Sequence, residues 1–572
     1  MKCSDYIVQY LIKKGITDVF GYPGGMVTHL MDSFSKYQSQ ISAHLTYHEQ
    51  GAAFAACGYA QANGKIGVAY ATSGPGATNL ITGICNAYFD SIPVLFITGQ
   101  VNTFETKGSL SVRQRGFQET DIVAMVSTVT KFSARVDDAN QIRSYLDQAF
   151  FHALTGRKGP VLLDIPMNIF RTEIDTANLE SFMTYRLCAC SLTAEQRNIL
   201  SDSLRRTERP VILLGNGAKK TFQKRSELRS ILEQIQVPVV TTMLAVDLPG
   251  DMSLHYGFIG AYGSRIANFI VAKSDLVISL GARLDVRQVG GKRRNFAPNA
   301  KLLRIDIDSG ELAYSVREDE VDICADATEA LKMIRDISML SNVKKDHRPW
   351  LDICNIMKDK LRDLDQRRPN RLIQKIGAYL PENAVITTDV GQNQVWVAQS
   401  LPIKSNQRVF FSGGHGAMGY SLPASIGCWF ASKRPVISFN GDGGFQMNLQ
   451  ELEMIQRDRL PIKIIILNNY ALGMIRHFQE MYFEENYYQT IVNCGYAVPD
   501  FSAIAMAYGL KYVRVETEED ITEKIFSDNT CYLIEVVLKG NTYVLPKLEF
   551  GKPNQDQEPL LDRTLFNELM QL

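Results

Sequence analysis

Short apolar runs rich in Val, Ile and Leu recur along the chain, each bounded by Gly, Pro or Asp, with amphipathic helical patterns between them. DVFGY from Asp18, KIGVAYA from Lys65, IPVLFITG from Ile92 and GPVLLDIP from Gly159 form a first series. RPVILLGNG from Arg209, VPVVTTM from Val237, DLVISLGARL from Asp275 and KLLRIDID from Lys301 form a second. NAVITTDVG from Asn383, RPVISFNGDG from Arg434, LPIKIIILNN from Leu460, KYVRVETEED from Lys511 and CYLIEVVL from Cys531 form a third. Strands that are apolar throughout and alternate with helices predict an α/β chain of doubly wound parallel sheets, covered on both faces. The pattern pauses across Arg171–Thr193 and across the charged stretch Met339–Arg371. Three domains are therefore predicted, over 1–170, 190–338 and 372–545, with a tail at 546–572. The first and third share a layout of Gly-rich turns after their strands, where open parallel sheets bind ligands.

Length agrees, since 572 residues exceed one core and suit three domains of roughly 150–200 residues each. Lys+Arg and Asp+Glu both count 61, so no net field favours nucleic acid or an anionic membrane. No apolar run is long enough to span a bilayer, and MKCSDYIVQYLIKKG at the start lacks the apolar core of a signal peptide. The ten Cys are scattered without a CxxC pair, and Cys188-Ala-Cys190 is too isolated for a zinc site. Reduced, mostly buried thiols of a cytoplasmic protein are expected.

Two stretches carry chemistry. In TYHEQGAAFAACGYAQANG, from Thr46 to Gly64, a helix is predicted to begin near His48, and its small apolar residues imply burial. Glu49 stands in its first turn, where a carboxylate either offsets the helix dipole or is put to use. In FNGDGGFQMNLQELEMIQRDRLPIKIIILNNYALGM, Gly441-Asp442-Gly443 follows one apolar strand and Asn468-Asn469 closes the next. That spacing sets Asp442 beside Asn469 at the ends of neighbouring strands. One carboxylate and one amide oxygen suit a hard divalent cation that keeps phosphate and water ligands. Gly441, Gly443 and Gly444 allow close approach of backbone to phosphate, and the following helix offers free N–H groups.

With this strand–helix–strand spacing the chain resembles the thiamine-diphosphate enzymes, and in particular the acetolactate synthase family, over nearly its whole length. FGYPGG (20–25), HEQGAAFAACGYA (48–60), TSGPGATN (72–79), IPVLFITGQV (92–101), GFQETDIV (116–123) and KGPVLLDIP (158–166) carry the likeness in the first domain. GARLDVR (281–287) and IDID (305–308) carry it in the second, GQNQVW (391–396) and SGGHGAMGYSLPASIG (412–427) in the third. The resemblance implies decarboxylation of pyruvate, a 2-keto acid, and carboligation of the resulting enamine to a second carbonyl. It implies a pyrimidine-binding first domain, a central domain of the FAD-binding kind and a third domain for diphosphate and Mg²⁺.

By that resemblance Asp442, Asn469 and the Ala471 carbonyl hold Mg²⁺ on thiamine diphosphate. Gly391, Gln392 and Asn393, Gly416 and Met418, and Leu472, Gly473 and Met474 line the cofactor with Gly441, Gly443 and Gly444. Without the family match, Met418 reads as an ordinary core methionine. Tyr22, Pro23, Gly25, Pro75 and Asn79 line the pyrimidine pocket, and the donor enters near Gly25 and Met26. Glu49 is the catalytic carboxylate, reaching the aminopyrimidine from the opposite subunit, so a homodimer or tetramer is implied. A regulatory subunit is not indicated. Phe117, Gln118 and Lys131 match positions near the reacting carbons, although a solvated Lys or a satisfied Gln would read alike. Arg283 and Asp306 match residues around a structural FAD.

The departures cluster on the acceptor side. IGAYG replaces the usual LGMHG, putting Ala261 in place of Met, and Phe478 stands where the family has Trp. Val286 replaces an Asp while Arg287, suited to the acceptor carboxylate, is kept. The segment NTFETKGSLSVRQR (102–115) is longer than usual and the tail is dissimilar. Two acceptors follow: a second pyruvate, or a nucleotide-linked keto-sugar as in branched-chain sugar synthesis. A simple decarboxylase is disfavoured because no two of the eight His residues are adjacent, and a non-catalytic scaffold because Glu49, Asp442 and Asn469 are intact.

Overall fold

The computed structural model describes every residue except 183–191, 222–224, 342, 344 and 363. Cys188 and Cys190 fall outside the described residues. Three six-stranded sheets form the chain, and their strand pairings are parallel. The first holds β1 (Asp18–Gly21), β2 (Ser42–Leu45), β3 (Gly67–Ala71), β4 (Val94–Gln100), β5 (Phe132–Arg135) and β6 (Val161–Pro166), in the order β2-β1-β3-β4-β6-β5. The second holds β7 (Pro210–Leu214), β8 (Val239–Thr241), β9 (His255–Phe258), β10 (Leu276–Leu280), β11 (Lys301–Asp306) and β12 (Val321–Cys324), in the order β12-β11-β10-β7-β8-β9. The third holds β13 (Val385–Thr388), β14 (Arg408–Phe411), β15 (Val436–Gly441), β16 (Lys463–Asn468), β17 (Lys511–Val515) and β18 (Tyr532–Val537), in the order β14-β13-β15-β16-β18-β17.

Counted within each sheet, the first and third share one order, 2-1-3-4-6-5. The second has the dinucleotide-fold order 3-2-1-4-5-6. In such sheets a crevice opens where consecutive connections leave for opposite faces. That switch point lies between β1 and β3, between β7 and β10, and between β13 and β15.

The predicted strands all form. Those missing from the prediction are β2, β5, β9, β12 and β14, and each is an edge strand.

The Glu49–Asn63 helix packs on the Ser421–Ser432 helix and joins the first sheet to the third. Small residues let the two backbones touch. A Cβ on Gly58 would lie 2.0 Å from the Ala424 carbonyl oxygen, and one on Gly427 would lie 1.8 Å from that of Ala55. The smallness of this helix therefore serves a helix–helix contact as well as burial.

The tail folds back onto the second domain. Leu548 N donates to Ala261 O at 2.7 Å, and the Arg265 guanidinium donates to Pro559 O at 2.7 Å. Its closing helix, Arg563–Gln571, buries Leu569 in the same core as Phe269. Among the described residues no helix is long and apolar enough to cross a membrane.

Candidate active site

The GDG turn after β15 and the NN turn after β16 meet at the carboxyl edge of the third sheet, beside its switch point. Asp442 Oδ1 accepts the Gly443 amide at 2.8 Å and Oδ2 accepts the Ala471 amide at 3.2 Å, so one buried carboxylate ties the end of β15 to the turn after β16. Burial pushes the Asp442 carboxyl up to about 7 against the donors that lower it. Asn469 Nδ2 donates to Gln392 Oε1 at 2.9 Å, which turns its amide nitrogen away and leaves its oxygen uncommitted. Gln392 Nε2 and Asn393 Oδ1 are buried without a hydrogen-bond partner among the described residues.

The glycines here are close-packing positions. A Cβ on Gly444 would fall 1.7 Å from Asp389 Oδ2, and one on Gly473 would fall 2.0 Å from Gln392 Oε1. Leu472 and Met418 both close on Gly443. Gly391 and Gly416 have positive φ, and Met474 sits in the first turn of the Gly473–Tyr482 helix. Tyr470 takes the left-handed conformation at φ +54°, steadied where Asn468 Oδ1 accepts its amide at 3.0 Å. A buried acidic group beside orphaned donors and acceptors, at helix N-termini, fits a diphosphate carried on a divalent cation.

In the first sheet the turns after β1, β2 and β3 converge. Glu49 is 9% exposed, and its Oε2 accepts Asn79 Nδ2 at 3.0 Å. A Cβ on Gly76 would lie 3.2 Å from Oε1. Capping of the helix falls to His48, whose Nδ1 accepts the Gln50 amide at 3.0 Å, while Glu451 accepts the Tyr47 amide. The Glu49 carboxylate is thus free of the capping role that a first-turn acid can serve. Pro75 opens the following short helix. Tyr22 and Pro23 follow β1, and Gly25 faces open space beside Met26, whose amide donates to Thr72 Oγ1 at 3.2 Å. Gln118, left-handed at φ +64°, packs against Gly74, while Phe117 is 78% exposed.

Lys131 does not join this group. It precedes β5, so it stands at the amino edge of the sheet, opposite the edge that carries Glu49 and Gln118. Its Nζ donates to Thr155 O at 2.6 Å, and burial pushes the ammonium down to about 8 despite the Asp308 charge nearby.

A cleft runs along that amino edge, facing the second sheet and the Gly413–Gly414 turn after β14. Asp90 closes one end, its carboxylate accepting the Gly413 and Gly414 amides at 3.0 and 2.7 Å. Asn216–Gly217 after β7 and Gly281–Arg283 after β10 line it, which places the cleft at the switch point of the second sheet. Arg283 pairs with Asp285, and Asp306 lines the wall with Oδ1 accepting the Asp308 amide at 2.9 Å. Lys158, Lys220 and the Arg287 side chain also face the cleft and make no hydrogen bond or ion pair among the described residues. Burial pushes the Lys220 ammonium down to about 7. Unpaired cations at a dinucleotide-type switch point fit an anionic ligand such as the diphosphate of FAD.

Ala261 is held by its backbone, its amide donating to Arg287 O at 2.8 Å and its carbonyl accepting Leu548, while the next residue, Tyr262, lines the cleft. Phe478 lies on the Gly473–Tyr482 helix, 49% exposed, against Tyr482 and Phe483.

Residues that motif reading missed come from tertiary contacts. Glu451 lies in the ordinary-looking helix pattern LQELEM, yet reaches Tyr47. Lys158 and Lys220 gave no local signal beyond their charge. Tyr496 lies in a loop without periodicity, and its buried hydroxyl comes up against Gly443 of the GDG turn.

Comparison with known proteins is consistent along the chain. The family described as thiamine pyrophosphate enzyme matches in three parts: the N-terminal TPP binding domain over residues 1–125, the central domain over 199–334 and the C-terminal TPP binding domain over 389–536. The acetolactate synthase large subunit of Lactococcus lactis is 36% identical over 561 residues, 96% of this chain and 94% of the relative. A probable acetolactate synthase large subunit of Methanocaldococcus jannaschii is 36% identical, covering 94% of this chain and 92% of its own. The large subunit of Escherichia coli acetolactate synthase isozyme 2 is 33% identical, covering 97% and 99%.

Proposed function

The chain belongs to the thiamine pyrophosphate enzymes, among the acetolactate synthase large subunits, and on that premise we propose that it decarboxylates pyruvate and joins the two-carbon unit to a second carbonyl. The observation that carries this reading is the pair of carboxyl-edge turns: buried Asp442 with an uncommitted Asn469 oxygen on one sheet, and Glu49 held by Asn79 on another.

Thiamine diphosphate, when bound, supplies the electron sink for loss of CO₂ from a 2-keto acid. Asp442, the Asn469 amide oxygen and the Ala471 carbonyl would hold Mg²⁺, an all-oxygen set that leaves room for phosphate and water. Gln392 would donate its unpartnered Nε2 to the diphosphate, Asn393 would border it, and Met418 and Leu472 would wall the ring site. Glu49 Oε1, the oxygen Asn79 leaves open, is the atom that would exchange a proton with the aminopyrimidine. The apolar residues behind Glu49 exclude water from that exchange.

The unpaired Lys158, Lys220 and Arg287 support FAD in the cleft, with Arg283 and Asp306 on its walls. The flavin is structural here, because decarboxylation followed by carboligation moves no net electrons. A homodimer or homotetramer, with Glu49 of one copy serving the cation site of the other, is part of the same reading. It is also supported by exposed Phe104, Leu110 and Phe117 in one domain and Ile475, Phe478 and Phe483 in another, apolar side chains that a second copy would cover. The protein works in the cytoplasm, as a catalytic subunit.

Pyruvate is the acceptor favoured by Arg287, a free cation suited to a carboxylate. Small Ala261 and half-exposed Phe478 favour the second acceptor, a nucleotide-linked keto-sugar. A product assay with pyruvate, thiamine diphosphate, Mg²⁺ and FAD decides between them. Rapid formation of acetolactate establishes the self-condensing reaction. Slow CO₂ release that quickens only with a keto-sugar nucleotide establishes the other. A protein that stays colourless and binds no FAD in titration refutes the flavin.

A further inference from the structure

The loop after the Gly473–Tyr482 helix is sewn onto the turn that carries Ala471. Leu472 N donates to Thr490 O at 2.9 Å, Ala471 bridges Ile491 in antiparallel fashion, and Tyr496 N donates back to Ile491 O at 3.3 Å. This double return brings the Tyr496 ring inward. Its hydroxyl oxygen is buried and has no hydrogen-bond partner among the described residues, and it lies beside Gly443, the residue that follows Asp442. It stands 3.1 Å from where a Cβ on Gly443 would be, so Tyr496, Leu472 and Met418 converge on the middle of the GDG turn. A phenol in the wall of a diphosphate cradle, with nothing else to bond, is an expensive arrangement unless the site uses it.

We propose that Tyr496 is a positioning residue of the cation site: its hydroxyl donates to Asp442, holds the carboxylate in the orientation that receives Mg²⁺, and so couples closure of the 483–496 loop to cofactor binding. The inference rests on the Asp442–Asn469 metal reading. The opposite role is also open to a phenol at this place. A hydroxyl that occupied the lone pair needed by the cation would compete with it, and its removal would tighten binding. The brace is favoured because the loop is anchored at Thr490–Ile491 on the far side of Leu472, so the ring buttresses the turn and does not stand free in the cradle.

The test is Tyr496→Phe, which keeps the ring and removes only the hydroxyl. Thiamine diphosphate is held fixed, and Mg²⁺ is titrated by calorimetry and by quenching of tryptophan emission. The brace predicts a rise of about tenfold in the Mg²⁺ needed for half-saturation, with the melting curve of the cofactor-free protein little changed. In an Asp442→Ala background the same change has no further effect. A second readout is cleavage by a Glu-specific protease at exposed Glu484 and Glu485. Mg²⁺ with thiamine diphosphate should protect the wild type there and fail to protect the variant. An unchanged or lower Mg²⁺ requirement overturns the proposal. Wild-type protein that binds thiamine diphosphate with no dependence on Mg²⁺ overturns the metal reading beneath it, an outcome visible before any variant is made.

Discussion

The Glu451 carboxylate accepts the Tyr47 amide with both oxygens at 3.1 Å, across 404 residues of chain. The third domain thereby holds the turn that leads into the helix whose first residue is Glu49. Gly51 leaves the space for it, since a Cβ there would lie 2.3 Å from Glu451 Oε1. Glu451→Ala strands the Tyr47 amide and should cost about 1–3 kcal/mol, with a matching fall in turnover because Glu49 loses its anchor. Glu451→Gln keeps one acceptor and should fall between. Thermal melting and turnover of the two variants check this, and an unchanged melting point in the alanine variant would defeat it.

Glu49→Gln retains the bond from Asn79, because the amide oxygen can accept what Oε2 accepts now. Only proton exchange is lost. Turnover should fall by about 10²-fold or more, while titration with thiamine diphosphate and Mg²⁺ should give nearly the wild-type affinity. Near-normal turnover would remove Glu49 from the mechanism.

Asp442→Ala should abolish the dependence of thiamine diphosphate binding on Mg²⁺, because it deletes the only carboxylate in the predicted ligand set. Calorimetric titration with and without the metal measures the difference. Identical curves for wild type and variant would place the cation elsewhere.

How much of this was legible follows from where the information sits in the chain. Interior strands such as LVISL in β10 and KIIIL in β16 are buried on both faces and announce themselves as apolar runs. Edge strands are half solvated, and SAHL in β2, FSAR in β5 and VDIC in β12 mix polar with apolar residues until no run remains. The pairing of the GDG and NN turns was readable because consecutive strand ends supply them. Lys131 is separated from Glu49 and Gln118 for a related reason. It is near Gln118 in sequence, but the chain returns to the start of a parallel strand in between, so neighbours in a motif list end on opposite edges. Tyr496 and Glu451 act through contacts that local pattern does not encode.

Asp164 provides a pH prediction away from the site. It is buried, accepts Thr98 Oγ1 at 2.6 Å and Gln100 Nε2 at 3.0 Å, and burial pushes its carboxyl from 3.8 up to about 7, with Arg135 opposing the rise and Asp121 adding to it. Between those values the folded chain keeps a proton that the unfolded chain has released, so this group makes stability fall as pH rises from about 4 to about 7. Asp164→Asn mimics the protonated form: its oxygen accepts Gln100 and its amide donates to Thr98. The variant should match wild type near pH 4 and exceed it at pH 8, on the order of 4 kcal/mol at most. Asp389 and Glu451 are raised in the same sense, so the slope shrinks without vanishing. Denaturant melts across that range check it, and parallel profiles for the two proteins would refute it.

Gly427→Ala tests the contact that joins the first and third sheets. The added methyl would lie 1.8 Å from the Ala55 carbonyl oxygen, and backbone cannot swing aside as a side chain can. The helices must separate, which also breaks the contact of Gly58 with Ala424. Overpacking of this kind costs about 1–3 kcal/mol or more. The displacement is passed to both candidate sites, because the Glu49–Asn63 helix starts at the Glu49 carboxylate and the Ser421–Ser432 helix starts at the amides that Asp389 accepts. Gly64→Ala is the control. Its φ of +74° carries the left-handed penalty of about 1–2 kcal/mol, but no heavy atom lies within 4 Å of the new methyl. The first variant should therefore lose stability and cofactor affinity together, and the second only stability. Equal cofactor affinity in the two would mean that the helix pair holds the domains without positioning their sites.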